Sequence, residues 1–239
     1  MHRGVYINNH DIGEFGAKLQ MDYAITGCDV TNATNQGPNR SSVLLLRQSF
    51  APLHITLPLD FYGSGKQQTM ARLSAFSALL TGKFEVDLGD GYQYTCILDE
   101  IGPTAWICDD ICSVDVALSG LRHTAPMTII GTSPLTLYNP GTWPQTACKI
   151  TIGSMIGETQ KVKIAHSNDD ISYTFDSPIA GRLVLDGINM ENRLWGKPIK
   201  AGTMEWVDYP WLAPGENTIS AGELSKTGTI RVDFTPTYL

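Results

Sequence analysis

Residues 54–61, HITLPLDF, place an apolar side chain at every second position: Ile55, Leu57, Leu59 and Phe61. A period of two is what a strand presents when one face is buried, because successive side chains point to opposite faces. The alternation returns in FEVDLGDGYQYTCIL. There Phe84, Val86 and Leu88 precede Gly89-Asp90-Gly91, and Tyr92, Tyr94, Cys96 and Leu98 follow it, as in a hairpin with both runs facing one way. Val114, Val116 and Leu118 make a further strand. Pro58 lacks a ladder donor and places the first strand at a sheet edge. A chain patterned in this way is mostly β.

One segment departs from the pattern. Met70, Leu73, Phe76 and Leu80 recur at helical spacing, Ser64-Gly65-Lys66-Gln67 has capping-box spacing ahead of them, and Gly82 stops the run. This predicts a single helix at about 66–80 covering the N-terminal sheet. Residues 27–41, GCDVTNATNQGPNRS, have almost no periodicity and many turn formers, so they read as a long loop or arm with a partner to reach.

Beyond residues 131–134 the texture changes, which sets a boundary between residues 1–132 and 133–239. Short strand patterns follow one another: LTLY, ACKITI, KVKIA, ISYTF, GRLVL, INM and TIRVDF, separated by turns such as NPGTWP, SNDD and Asp186-Gly187. Such spacing describes an antiparallel sandwich or barrel. The segment DYPWLAPGENTIS, residues 208–220, reads as a corner of it. Pro210 removes a donor, Trp211-Leu212 anchor on the core, Pro214-Gly215 reverse the chain and Asn217-Thr218-Ile219 begin the next strand.

Composition narrows the function. Twenty-four acidic against 17 basic residues give a net charge of −7, with no window of clustered Lys and Arg, so a nucleic-acid partner is not expected. No 18-residue apolar run and no export signal is visible, which argues for a soluble chain without membrane insertion. Five cysteines, an odd count, read as reduced thiols in a chain made in the cytoplasm, Cys96 and Cys112 acting as small buried hydrophobes.

Chemical motifs are sparse. Cys108 and Cys112, with Asp109, Asp110 and His123, lack the second chelating pair of a zinc site, so no metal is expected. GSG at 63–65 lacks the wider glycine spacing of a phosphate loop, and no G-x-S-x-G elbow occurs. Asp87 and Asp90 flank one hairpin and Asp169 and Asp170 sit in a turn, where aspartate commonly bonds its own backbone. No catalytic residue, cofactor site or enzyme activity is expected. Trp195, Trp206, Tyr209 and Trp211 remain, within 17 positions of one another. They read as a structural corner or subunit contact, with a sugar-stacking surface as the alternative.

The corner DYPWLAPGENTIS resembles the hydrophobic-Pro-x-Leu-x-Pro-Gly-x-Asn-Thr-Ile element of distal tail proteins, which occur in long-tailed phages and prophages of Gram-positive bacteria. TLYNPGTWPQTACKITIGS is similar to that family's opening of the C-terminal domain, YTFDSPIAGRLVLDGINMENRLWGK to its middle hairpin, and INNHDIGEFGAKL to the start of its N-terminal domain. The resemblance implies an N-terminal β-rich belt domain with one helix, closing as a ring of six copies, and a C-terminal galectin-like antiparallel β-sandwich. It implies a baseplate hub of the virion, assembled in the host cytoplasm, joining the tail tube protein to a tail tip or tail-associated protein. Receptor-binding proteins would attach to the sandwich. The family's variable N-terminal loop maps onto 27–41, though its Pro-Gly-Arg-like turn is here Gly37-Pro38-Asn39-Arg40. The galactoside-binding motifs of galectins are absent. The alternative is a carbohydrate-binding β-sandwich protein recognising cell-wall polysaccharide through Trp195, Trp206 or Trp211.

Overall fold

In the computed structural model, which describes residues 4–20, 23–35, 44–166, 170–199, 203–206, 208–222 and 228–239, the alternation at 54–61 becomes the strand Leu53–Tyr62. Ile55, Leu57, Leu59 and Phe61 are all buried along it. On one side it pairs with Ile111–His123, from Ile111↔Tyr62 to Gly120↔Leu53. On the other side lie two short strands, Ala17–Leu19 and Ala24–Thr26. The strand is therefore interior, which corrects the edge expected from Pro58. Its two short partners leave a gap at 57–58, where the Pro58 carbonyl accepts from the Gln20 amide. In an antiparallel ladder a residue's N–H and C=O point the same way, so the missing donor faces that gap and costs no ladder bond.

Gln93–Ile101 extends the sheet beyond Ile111–His123, followed by Lys83–Asp87 and the two-residue strands Tyr6–Ile7 and His10–Asp11. Phe84 pairs with Cys96 and Val86 with Tyr94, as their spacing requires. The helix Lys66–Leu79 packs on this sheet, Phe76 meeting Phe61 edge-on at 5.3 Å and Phe15 at 6.1 Å. Leu73, Phe76 and Leu80 are buried as expected. Met70 is exposed instead, and Thr69 takes the inward position, its hydroxyl shared between the Gly65 and Asp110 carbonyls at 3.1 and 3.3 Å. The residue that reaches back is Gln68 rather than Gln67; its Oε1 accepts from the Ser64 amide and hydroxyl at 2.6 and 2.7 Å. Gly65 is the N-cap, without a side-chain cap bond.

Val30–Asn35 corrects the long-loop expectation. It pairs with Leu44–Phe50 in a two-stranded ribbon that no other described strand joins. Residues 30–34 and 47–49 are exposed, so the side chains described there meet no core that would impose an alternation. The rest of the expected loop, with Gly37-Pro38-Asn39-Arg40, lies outside the described residues.

The chain divides into two compact units, Met1–His123 with Leu239, and Thr124–Tyr238. Met127–Gly131, assigned from sequence to the N-terminal side of a boundary at 132, pairs with Ile230–Phe234 inside the second unit. There ACKITI and KVKIA are one strand, Thr146–Ala165, and ISYTF and GRLVL are one strand, Asp170–Asp186. The two pair with each other, with register shifts between Ile152 and Met155, Ile156 and Thr159, and Thr159 and Lys161. Bulges of this kind bend a strand. Before the bend, residues 148–152 pair with Ile230–Phe234; after it, residues 162–165 pair with Gly215–Ala221, itself paired with Leu135–Asn139. The bent hairpin thus enters two layers. Ile150, Ile152, Leu183 and Leu185 from one bury in a single core with Val162, Ile164, Ile171 and Tyr173 from the other, making an antiparallel sandwich. The strand expected at INM is a turn, and Glu191–Leu194 follows it. Among the described residues no helix is long and apolar enough to cross a membrane.

Candidate interaction surface

In the corner, Trp211 pairs with Ala147 and Leu212 with Thr146, ending the sandwich. Leu212 is fully buried. Trp211 is half-buried and stacks on the His166 imidazole, centroids 4.0 Å apart and planes within 6°, while His166 Nε2 donates to the Trp211 carbonyl at 3.0 Å. Two buried asparagines hold the chain that follows. Asn217 accepts from the Ala213 amide at 2.9 Å and donates to the Ala213 and Gly215 carbonyls. Asn139 donates to the same Ala213 carbonyl at 3.2 Å and accepts from Gly141 N at 3.0 Å. The sequence placed Asn217 at a strand start and Asn139 in the NPGTWP turn, without assigning either a bracing role. The signal was an asparagine two residues from a glycine in each turn, where its amide can mimic backbone.

The Asp186-Gly187 bend closes against this corner. The Cys148 amide donates to the Pro210 carbonyl at 3.2 Å, and Gly187 N donates to the Cys148 carbonyl at 2.9 Å. A Cβ on residue 187 would lie 2.1 Å from the Pro210 oxygen, so only glycine admits the approach. Asp186 accepts from the amides of Ile188 and Asn189, from the Asn189 side chain at 3.0 Å, and pairs with Lys149 Nζ at 3.1 Å. Burial pushes its carboxyl up, but the Asn189 hydrogen bonds and Lys149 outweigh burial and hold it below the usual range. The Tyr173 phenol donates to the Asp208 carbonyl at 3.0 Å. Burial first, then Cys148 and Asp208, raise it well above its ordinary value.

The four aromatics come from more than one element. Tyr209 is half-buried beside Trp211, its amide bonded to Asp208 Oδ1 at 2.8 Å. Trp206 pairs through its backbone with Tyr173, and its side chain lies outside the described part of the chain. Trp195 belongs to another hairpin, forming with Gly196 the two-residue turn between Glu191–Leu194 and Lys197–Pro198. Both turn residues have positive φ, 53° and 74°, the pattern of a type I′ turn that normally takes Asn-Gly. Trp195 is 67% exposed, and its ring edge lies over Gly181, where a Cβ would fall 2.1 Å from it. An indole in that conformation is strained by about 1 kcal/mol.

The other candidates are scattered or occupied. Cys108 is exposed and Cys112 buried, Asp109 pairs with Lys66 at 3.2 Å, and His123 sits 3.0 Å from Glu85. Among the described residues no three His, Cys, Asp or Glu side chains gather as metal ligands. Asp87 accepts from Gly89 N, Asp90 from Tyr92 N and the Tyr94 hydroxyl, and Asp170 pairs with Lys163. Asp169 lies outside the described residues.

The solved structure of the SPP1 Dit protein, described as a paradigm of the hub adsorption apparatus in phages infecting Gram-positive bacteria, superposes with a TM-score of 0.69, covering 99% of both chains at 11% identity. The chain has the Dit fold. Two structures of the phage P2 baseplate in its activated conformation, with Ca and with Sr, align at TM-scores of 0.46 and 0.43, 9% and 8% identity, over 95% of this chain and 92% of theirs. No family model and no curated protein matches the sequence.

Proposed function

We propose that this chain is a distal tail, or baseplate hub, protein of a phage or phage-derived tail. It forms a hexameric ring between tail tube and tail tip and offers attachment sites to receptor-binding components. The observation that carries this reading is the superposition on a hub adsorption protein over nearly the whole of both chains, which takes in the helix-bearing first unit and the sandwich together. The residue chemistry agrees with a mechanical part: the turn carboxylates are engaged locally, the corner asparagines brace backbone, and the role needs no bond made or broken. Light scattering and negative-stain images of the purified protein, alone and with tail-tube and tail-tip partners, test it. A mass near six copies and an annulus with an open centre are expected; single particles under every condition overturn it.

A second reading draws on Trp195, whose displayed indole at a hairpin tip suits stacking on a sugar ring. It requires a monomer whose affinity for cell-wall polysaccharide disappears in Trp195→Ala.

A further inference from the structure

Among the described residues, four other than glycine take a left-handed backbone: Asn8, Asn9, Met190 and Trp195. Asparagine enters that region readily, whereas a bulky apolar residue does so at a cost that calls for a reason in packing or function. Met190 and Trp195 bracket the strand Glu191–Leu194 and are 70% and 67% exposed, so burial is not the reason. At Trp195 the cost is avoidable, since asparagine before Gly196 fits this turn without strain. The sequence instead raises a flat indole at the tip, its edge set over Gly181, where the missing Cβ lets the ring lie.

Charge distinguishes this end of the strand. Arg182 lies opposite, its carbonyl accepting from the Trp195 amide at 3.0 Å, and Lys197 follows two positions on. Both side chains are exposed, and neither forms an ion pair among the described residues. The carboxylates of the same hairpin are taken, Glu191 by Arg193 at 2.8 Å and Asp186 by Lys149 at 3.1 Å. In a chain of net charge −7, the tip therefore keeps two cations beside the ring. An aromatic anchor for a protein partner sits within a continuous apolar patch and has its polar groups at the rim. Here the exposed Met190 is about 17 Å along the strand, while the cations stand next to the ring itself. An indole face suits a sugar ring, and guanidinium and ammonium groups suit phosphate or carboxylate oxygens. The geometry points to a binding site for an anionic glycan at this tip, the indole stacking on a sugar while Arg182 and Lys197 engage the acidic group beside it.

This rests on the sugar-stacking role of Trp195, names its ligand class, and holds whatever the number of copies. Titration calorimetry of the full chain tests it with four probes: glucosylated poly(glycerol phosphate), hyaluronan, dextran and polyglutamate. Binding of one or both anionic glycans at least tenfold tighter than dextran is expected, and the one preferred says whether the acid is phosphate or carboxylate. Arg182→Gln and Lys197→Gln should each weaken that binding several-fold and flatten its salt dependence. Trp195→Asn should abolish it while the melting temperature holds or rises, because the turn then takes its usual residue. Dextran bound as tightly as the anionic glycans, with loss only in Trp195→Asn, removes the charge and leaves the sugar role standing. Polyglutamate bound equally well makes the tip a surface for acidic chains of any kind and overturns the glycan. A melting temperature that falls in Trp195→Asn with glycan binding unchanged makes the indole a structural plug and overturns the site. No binding to any probe overturns the sugar role with it.

Discussion

Single residues at the bends decide how the second unit closes. Asp186 braces the amides of Ile188 and Asn189, so Asp186→Ala orphans buried donors and is expected to cost about 2–3 kcal/mol, read by denaturant titration. Because its folded pKa is depressed, its contribution is present above the unfolded value near 4 and is lost as pH falls through the lower folded value. Asp233, held down first by its hydrogen bonds from Arg231, adds to the same acid loss. The melting temperature is therefore expected to drop on acidification below about pH 4, less steeply in Asp186→Asn. Gly181→Val sets a branched side chain at φ 91° and against the Trp195 ring. A loss of about 2 kcal/mol and a shift in the Trp195 emission, identified by comparison with Trp195→Phe, are expected. The glycines and asparagines of these turns were visible in the sequence as punctuation. Their partners were not, since Gly187 meets Pro210 and Asn139 meets Ala213 across many positions of chain.

At the scale of elements, what was legible depended on whether a face is buried. Strands 53–62, 83–87 and 111–123 alternate because one side meets the helix and core. The ribbon at 30–50 had no such imprint, and Pro58 pointed to an edge because its gap is made by strands distant in sequence. The helix itself was legible, but its inward face was misread by one residue. Met70 looked like core by hydrophobicity, whereas Thr69 is drawn inward by the Gly65 and Asp110 carbonyls. Phe76→Ala, which removes a fully buried ring from Phe61 and Phe15, is expected to cost about 3–4 kcal/mol. Met70→Ala should change stability by less than about 0.5 kcal/mol in the same titration.

At the scale of the whole molecule, the apolar interior is divided. Among the described residues, the buried members of one cluster lie within 5–118 and those of the other within 135–234. Each unit therefore has its own core. Residues 124–239 expressed alone are expected to melt cooperatively, with a circular dichroism transition and dispersed amide resonances; a molten spectrum would contradict this. The change of texture was placed near residue 131, whereas the two compact units divide between His123 and Thr124, and Met127–Gly131 pairs with the far C-terminal strand. The candidate surface was less readable, because Trp211 lies in the corner while Trp195 sits in a separate hairpin turn. The longest hairpin has a mechanical consequence. Since both sheets of the sandwich borrow their middle from the same pair of strands, neither sheet can peel off as a free flap. Tension reaching one is handed through the bend to the other, so the unit resists like a folded strap until it gives way all at once.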